Sequence, residues 1–139
     1  MKVKNIGTKY VVRLDKGEEV IESLKEICKE NNIKLASISG IGASNKVTLG
    51  LFNTSEKKYY SKDLEGVFEI TSLIGNISTM NDEVYLHLHC NVSDSDLTVY
   101  GGHLNYCRIS ATCELIIDAI DSTVDRYFDE EIGLNLFKL

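Results

Sequence analysis

The sequence predicts an α+β protein in which a central, mostly antiparallel sheet of about seven strands packs against one main helix. Three observations support this prediction. Apolar residues follow a helical period only between about residues 18 and 32, and from residue 33 onward the period falls to about two. The links between the strand-like segments are short and rich in turn-forming residues, which favours antiparallel neighbours.

The first two elements are a strand and the helix. Residues 9–14 (KYVVRL) are β-branched and aromatic enough to predict a strand, and the DKGE that follows at 15–18 is typical of a helix start. One apolar stripe then predicts an amphipathic helix, and its members are Val20, Ile21, Leu24, Ile27 and Cys28. Asn31 and Asn32 predict its end, because asparagine tolerates left-handed backbone.

The remainder of the chain is predicted to be sheet and turns. Strands are predicted at 34–39, 46–53, 57–63, 67–75, 83–91, 97–104 and 109–119. Turn residues are predicted between them, at Gly40 to Gly42, 53–56, 76–81, 93–96 and Asn105. The tail after Asp121 fits either an outgoing strand with a short helix or an extended terminal segment. No repeat or linker divides the chain, so a single domain spanning 1–139 is expected.

Composition excludes several classes of function. The chain has 139 residues, 43% of them hydrophobic, and a net charge of −6 from 15 basic and 21 acidic residues. This acidic balance disfavours binding to a phosphate backbone. No apolar run approaches the length of about 20 residues that spans a bilayer, so a cytoplasmic protein without membrane contact is expected. The four cysteines form no CxxC pair and are predicted to be buried thiols.

All three histidines lie within residues 87–103. In a strand His87 and His89 point to the same face. If the hairpin through the following SDSD is centred on Ser95, His103 lies directly opposite His87 and on the same face. Directly opposed β-carbons are about 4.5–5.5 Å apart, which allows three imidazoles to converge on one ion.

This pattern predicts a metal site with His87, His89 and His103 as ligands. Three histidines without a carboxylate or thiolate are typical of a zinc centre with one open position. Gly101 and Gly102 would leave room beside it for water, a ligand or another backbone. The alternative is that a polar strand face carries histidines without a function.

Two other candidates are weaker. Gly40-Ile41-Gly42 resembles part of a dinucleotide-binding loop, but a strand pattern follows it instead of a helix, so a turn is expected and no cofactor-binding residues are assigned. Glu69, in an otherwise apolar strand, could act as a catalytic base or as a partner of a histidine. The alternative, which the strand pattern favours, is a solvent-facing strand residue.

Five stretches of the sequence, taken in order, resemble one known family. They are RLDKGEEVIESLKEICKENNIKLASISGIGA, LEGVFEITSLIGNIS, YLHLHCNVSD, VYGGHL and ATCELII. Together they resemble the plants-and-prokaryotes-conserved (PPC) domain in its stand-alone prokaryotic form, over about residues 8–137. The HxH followed by GGHL is the most specific part of the resemblance.

The resemblance implies a compact α+β domain that assembles as a homotrimer. It also implies that His87, His89 and His103 hold a metal, zinc, and it aligns Gly66-Val67-Phe68-Glu69-Ile70 with a second family motif of unassigned role. Plant relatives use that region to contact transcription factors and bind DNA through a separate AT-hook. This proline-free chain has no such hook.

Three hypotheses about function follow. The first is a binding or regulatory module whose metal anchors a small ligand or a protein partner. The second is a zinc-dependent, hydrolase-like enzyme that acts on a small metabolite, with Glu69 as the base. The third is a DNA-associated protein, as the family name suggests. Whether the protein is an enzyme is left open at this level.

Overall fold

A computed structural model describes all 139 residues of the chain. It contains eight strands and one helix in the order β1 (Lys2–Ile6), β2 (Lys9–Asp15), α1 (Val20–Glu30), β3 (Ala36–Asn53), β4 (Lys58–Met80), β5 (Glu83–Ser93), β6 (Val99–Ala119), β7 (Arg126–Asp129) and β8 (Leu134–Phe137). All paired strands are antiparallel. The predicted α+β class is therefore confirmed.

The main sheet curls until it closes on itself. Its order is β1-β2-β6-β3-β4-β5, with a further pairing between β5 and β6. Strand β6 pairs with β3 along one edge, and along its other edge it pairs first with β5 and then with β2. The closure gives every strand from β3 to β6 two paired edges and brings the β5–β6 hairpin beside β3.

The helix covers the inner side of this sheet. Glu19 caps it by accepting a hydrogen bond from the Glu22 amide, so the cap lies one residue beyond the predicted DKGE. The predicted apolar stripe is buried apart from Ile21, which is half-buried, and packs on β5 and β6. Each fully buried leucine or isoleucine contributes about 1.5–3 kcal/mol to folding, so this stripe holds the helix in place.

In the structure, six of the predicted strands are joined in pairs to form three long strands. The segments 34–39 and 46–53 belong to β3, 57–63 and 67–75 to β4, and 97–104 and 109–119 to β6. The predicted turns at Gly40 to Gly42 and at Asn105 are wrong, because β-bulges bend the strands there without ending them. Asn105 is the extra residue of such a bulge: Leu49 pairs with Leu104 and Thr48 with Tyr106.

The two ends of the chain differ from the prediction. β1 was not predicted, and its five residues are all exposed, so it lacks the apolar alternation that marks a half-buried strand. The tail is neither an outgoing strand with a helix nor an extended segment. It forms a small hairpin of β7 and β8, joined through Gly133 in a left-handed conformation (φ +84°).

Candidate metal centre

β5 separates two kinds of side chain onto its two faces. Leu88, Cys90 and Val92 point into the core and are buried. His87 and His89 point outward, where His87 is half-buried and His89 is exposed. The alternation of apolar and polar residues along a strand therefore places both histidines on the outer face, as predicted.

His103 joins them from β6, but in a register that differs from the prediction. It lies opposite His89, and Ser93 lies opposite Val99. The prediction that His103 lies opposite His87 is therefore wrong. The hairpin is centred on Asp96 instead of Ser95, a change that moves the register by two residues. Because side chains alternate with a period of two, this shift leaves His103 on the predicted face.

The loop residues explain the position of the turn. Asp94 Oδ1 accepts hydrogen bonds from the backbone amides of Asp96 and Thr98, both at 3.0 Å. Leu97 has φ +61°, and its amide donates to the Asp94 carbonyl oxygen at 3.0 Å. The Asp94 carboxylate also accepts from the Tyr100 hydroxyl at 3.1 Å. One aspartate thus organises a five-residue loop, as aspartate does in many turns.

The three imidazoles form a compact cluster. Their ring centroids are 5.4 Å (His87–His89), 5.5 Å (His87–His103) and 5.7 Å (His89–His103) apart. One nitrogen from each ring lies within 4.8 Å of the other two. Two nitrogens on one zinc ion, each at 2.0–2.1 Å, are no more than about 4 Å apart, so a small rotation of the side chains would fit the ion.

The chemistry of the donor set also fits a metal. No imidazole nitrogen of these residues has a hydrogen-bond partner in the chain, and none is a buried unsatisfied atom, so all remain accessible. Burial lowers the pKa of His87, and the charges of Arg126, His103 and His89 lower it further. Burial and then the charge of His89 lower the pKa of His103. Both groups therefore favour the neutral form, which is the form that binds metals.

A tyrosine and an asparagine border the cluster on the β6 side. The Tyr59 ring lies edge-on to His103, with centroids 6.3 Å apart. The Asn105 side-chain amide donates to the Tyr59 hydroxyl at 2.7 Å. Sequence patterns missed Tyr59 because it reaches His103 from β4 over Gly50 of the intervening strand β3. The β-bulge at Asn105 could not be predicted either, because asparagine in the sequence indicates only a turn.

An arginine borders the cluster on the opposite side. Arg126 of β7 lies over Asn76 and Ser78 of β4. Asn76 pairs with His87 and Ser78 pairs with Tyr85. Arg126 belongs to the tail that the sequence left unassigned, so no pattern indicated its position.

The remaining predicted site residues do not join the cluster. Glu69 is exposed on β4, five residues from Ile74, which pairs with His89. Five strand residues span about 16 Å, so within one chain its carboxylate does not reach the histidines, and its catalytic role stays a prediction. Gly102 serves packing within the chain: a β-carbon there would lie 2.6 Å from the Gly50 carbonyl oxygen, so glycine allows β3 to approach.

The inner face holds a second set of potential metal ligands. All four cysteines are free and buried, as predicted. Burial raises the pKa of Cys107 to about 11 and of Cys113 to about 12. Burial raises the pKa of Cys90 even further. These thiols are protonated at neutral pH, and a protonated thiol is neither a metal ligand nor a nucleophile.

No helix in the structure has the length and apolar character to cross a membrane, since α1 has only eleven residues.

Solved structures similar to this chain include two proteins that cover nearly its whole length. One, from Bacteroides thetaiotaomicron, carries the name "putative DNA binding protein"; it is 37% identical, has a TM-score of 0.96, and the match covers 99% of this chain and 96% of that one. Another is a metal-containing protein from Archaeoglobus fulgidus, 32% identical with a TM-score of 0.87, and that match covers 97% of this chain and 96% of the other.

One curated protein matches over a shorter share of its own length. The chain is 27% identical over 127 residues to the bifunctional protein GlmU of Synechococcus. The match covers 89% of this chain and 19% of that protein, so the chain spans about one fifth of this relative.

Residues 1–121 match the sequence pattern of the Plants and Prokaryotes Conserved (PCC) domain. This stretch includes all three histidines and the whole closed sheet, and it ends before the β7–β8 hairpin. The chain belongs to the Plants and Prokaryotes Conserved domain family.

Proposed function

We propose that His87, His89 and His103 hold one divalent cation, zinc, and that this centre binds a small ligand or a partner in a regulatory module. One observation supports the proposal above others: three ring nitrogens without hydrogen-bond partners lie within 4.8 Å of one another on an accessible face. The similar protein from Archaeoglobus fulgidus is metal-containing, which supports a metal in this chain as well.

A zinc ion with three histidine ligands keeps a position at which it can polarise an exchangeable ligand. The residues of this chain would shape what enters that position. Tyr59 offers a hydroxyl group beside His103, and Arg126 offers positive charge beside His87. The fold fixes both neighbours, so the ligand would be oriented from two sides.

Binding is favoured over zinc-dependent hydrolysis because the cluster contains no carboxylate. The only grouped metal-binding side chains are the three histidines. A hydrolase of this type needs a proton acceptor within hydrogen-bond reach of the metal-bound water or one water away. Glu69 lies too far along β4 to serve within one chain.

Elemental analysis and calorimetry with zinc test the proposal directly. Wild-type protein should bind one zinc per chain, and both His87→Ala and His103→Ala should lose at least about a hundredfold in affinity, since each removes one of three ligands. Asn91→Ala is the matched control, because Asn91 occupies the next outward position on β5 and is not a ligand. Equal zinc content in the wild type and the histidine variants would refute the metal centre.

The assembly is a further part of this proposal. We propose a homotrimer of single-domain chains, each comprising residues 1–139 around the core of 24 buried residues. The outer sheet face supports an interface, because it carries exposed apolar side chains in adjacent rows, among them Val11, Ile41, Ile74 and Ile116. Ile74 pairs with His89, so this apolar surface extends to the metal centre.

Light scattering after size-exclusion chromatography tests the assembly. Ile74→Lys should reduce the mass from three chains towards one, because a buried lysine destabilises an apolar interface. Leu51→Lys is the control, since Leu51 is equally exposed but lies at the far end of β3. A wild-type mass of one chain would contradict the trimer.

Association with DNA is the second candidate, and the name of the similar Bacteroides thetaiotaomicron protein favours it. The net charge of −6 predicts that any such association is weak and does not come from broad phosphate contacts. Titration with duplex DNA at 50 and 200 mM salt should show little binding at either concentration. Tight binding that weakens steeply with salt would instead establish DNA as a partner.

We also place the protein in the cytoplasm, because its four buried, unpaired thiols suit a reducing compartment.

A further inference from the structure

Arg126 is a buried cation without an acidic partner. Its residue is only 6% exposed. None of the ion pairs in the structure includes it. Burying a charge costs free energy unless an opposite charge or hydrogen bonds compensate it. The surroundings of Arg126 supply only part of this compensation.

Neutral acceptors use three of its five N–H groups. Nε donates to Ser78 Oγ, Nη2 to Asn76 Oδ1 and Nη1 to the Asn135 carbonyl oxygen, each at 2.8 Å. The guanidinium carbon lies 4.7 Å from the Tyr85 ring centroid and 4.2 Å from that of Phe137. These contacts hold the side chain between the sheet and the β7–β8 hairpin and leave two N–H groups without an acceptor.

The guanidinium lies beside the metal centre. It spans two neighbouring rows of the outer sheet face, the row of Ser78 and Tyr85 and the row of Asn76 and His87. Directly paired residues have β-carbons about 4.5–5.5 Å apart. A group bonded to the Asn76 side chain therefore lies on the same sheet face as His87, one strand away from it.

With a divalent cation bound, the proposed centre would carry an excess of positive charge. Three neutral imidazoles add no negative charge to a divalent cation, and the cluster contains no carboxylate. Arg126 adds one more positive charge beside it. A site with this excess of positive charge and spare guanidinium donors favours an anion with oxygen acceptors, as guanidinium groups do for carboxylates and phosphates.

We propose that the ligand of this centre is a small oxyanion, with one oxygen on the metal and its anionic group hydrogen-bonded to Arg126. The proposal rests on the metal centre proposed above. Arg126 lies outside residues 1–121, the part of the chain that matches the family pattern and contains the three histidines, so this specificity would come from the hairpin.

Calorimetry on zinc-loaded protein tests the proposal, with glycolate and inorganic phosphate as the anionic probes and ethylene glycol as the neutral analogue of glycolate. The wild type should bind at least one anion and should not bind ethylene glycol. The anion that binds more tightly identifies the ligand as a carboxylate or a phosphate. Arg126→Gln should retain one zinc per chain and lose about tenfold or more in anion affinity, the loss expected for a charged hydrogen bond.

Two further variants separate ligand binding from structural support. Arg126→Lys keeps the charge without the planar fork and should fall between the wild type and Arg126→Gln. Arg13→Gln removes the same charge from an exposed site on β2 and should leave anion affinity unchanged. If Arg126→Gln does not fold, the preference of the wild type for anions over ethylene glycol, together with the Arg126→Lys affinity, decides the question.

The outcomes distinguish the two proposals. Zinc binding with equal anion affinity in the wild type and Arg126→Gln, or with no anion binding at all, would overturn the role of Arg126 and leave the metal centre standing. Failure of the wild type to bind zinc would overturn the metal centre and this inference with it.

Discussion

The two faces of β5 and β6 both carry side chains that can bind metals, but those on the inner face are buried and those on the outer face are accessible to solvent. Cysteines on the inner face and histidines on the outer face are both metal ligands by type. Burial raises the pKa values of Cys90 and Cys107 and keeps these thiols protonated. The outer-face histidines have accessible nitrogens, and burial lowers the pKa values of His87 and His103. The comparison indicates that solvation decides which set of side chains is available to a metal: the inner face contributes stability, and the proposed binding lies on the outer face.

The largest expected effect follows from truncating one residue on each face of β5. Leu88→Ala should lower the free energy of unfolding by about 2–5 kcal/mol, because Leu88 is 1% exposed and its loss leaves a cavity. His87→Ala, one residue away on the outer face, should change the stability of the metal-free protein by less than about 1 kcal/mol. Urea unfolding without metal measures both values.

Similar losses of unfolding free energy in Leu88→Ala and His87→Ala would contradict this difference between the faces, because the outer face would then contribute to the stability of the core.

A smaller loss of stability is expected at Gly75, where β4 lies close to the β5 backbone that carries both faces. A β-carbon at Gly75 would lie 2.1 Å from the His87 carbonyl oxygen and 2.9 Å from the Leu88 Cα. Gly75→Ala should therefore push β4 and β5 apart, at a cost of about 1–3 kcal/mol. It should also weaken zinc binding, because His87 moves with the strand. Thermal unfolding with and without zinc measures both effects.

Ser72→Ala is the control for this variant, since Ser72 lies on the same strand and a smaller side chain fits there. A Gly75→Ala protein with normal stability and normal zinc binding would show that the spacing of β4 and β5 does not position His87.

The smallest expected effect is the pH dependence of the metal-free protein. The folded-state pKa values of His87 and His103 are lowered, first by burial. Between these values and the ordinary value of about 6.5, the unfolded chain binds more protons than the folded one. The stability from these neutral histidines is present above about pH 6.5 and is lost as the pH falls through the lowered folded-state values.

Unfolding curves between about pH 7 and pH 5 measure this slope. The double variant His87→Asn/His103→Asn should have a shallower slope than the wild type. Identical slopes would show that the histidines do not titrate differently in the folded state.

Much of the outer face could be predicted from the sequence, because strand periodicity assigns faces without knowledge of the register. His87 and His89 share a face in any register, and His103 joins them in every register shifted by an even number of residues. The error of two residues came from the loop. The side chain of Asp94 and the left-handed Leu97 set its length, and neither is visible in a hydrophobic pattern.

The rest depended on contacts between distant parts of the chain. Bulges at Gly40 to Gly42 and at Asn105 use the same residue types as turns, so the sequence divided β3 and β6. Arg126 reaches the site only because the tail folds back as a hairpin over β4. Tyr59 reaches it from β4 over Gly50 of the intervening strand β3, where a side chain would block its ring. No local pattern encodes either event.

X-ray absorption spectroscopy on the zinc-loaded protein tests the central claim most directly, because it identifies the atoms bound to the metal. The outer-face centre predicts nitrogen or oxygen neighbours at about 2.0–2.1 Å, with the imidazole signature lost in a His87→Ala/His89→Ala/His103→Ala protein. A sulfur neighbour at about 2.3 Å would contradict the account, since it would place the metal among the cysteines of the inner face.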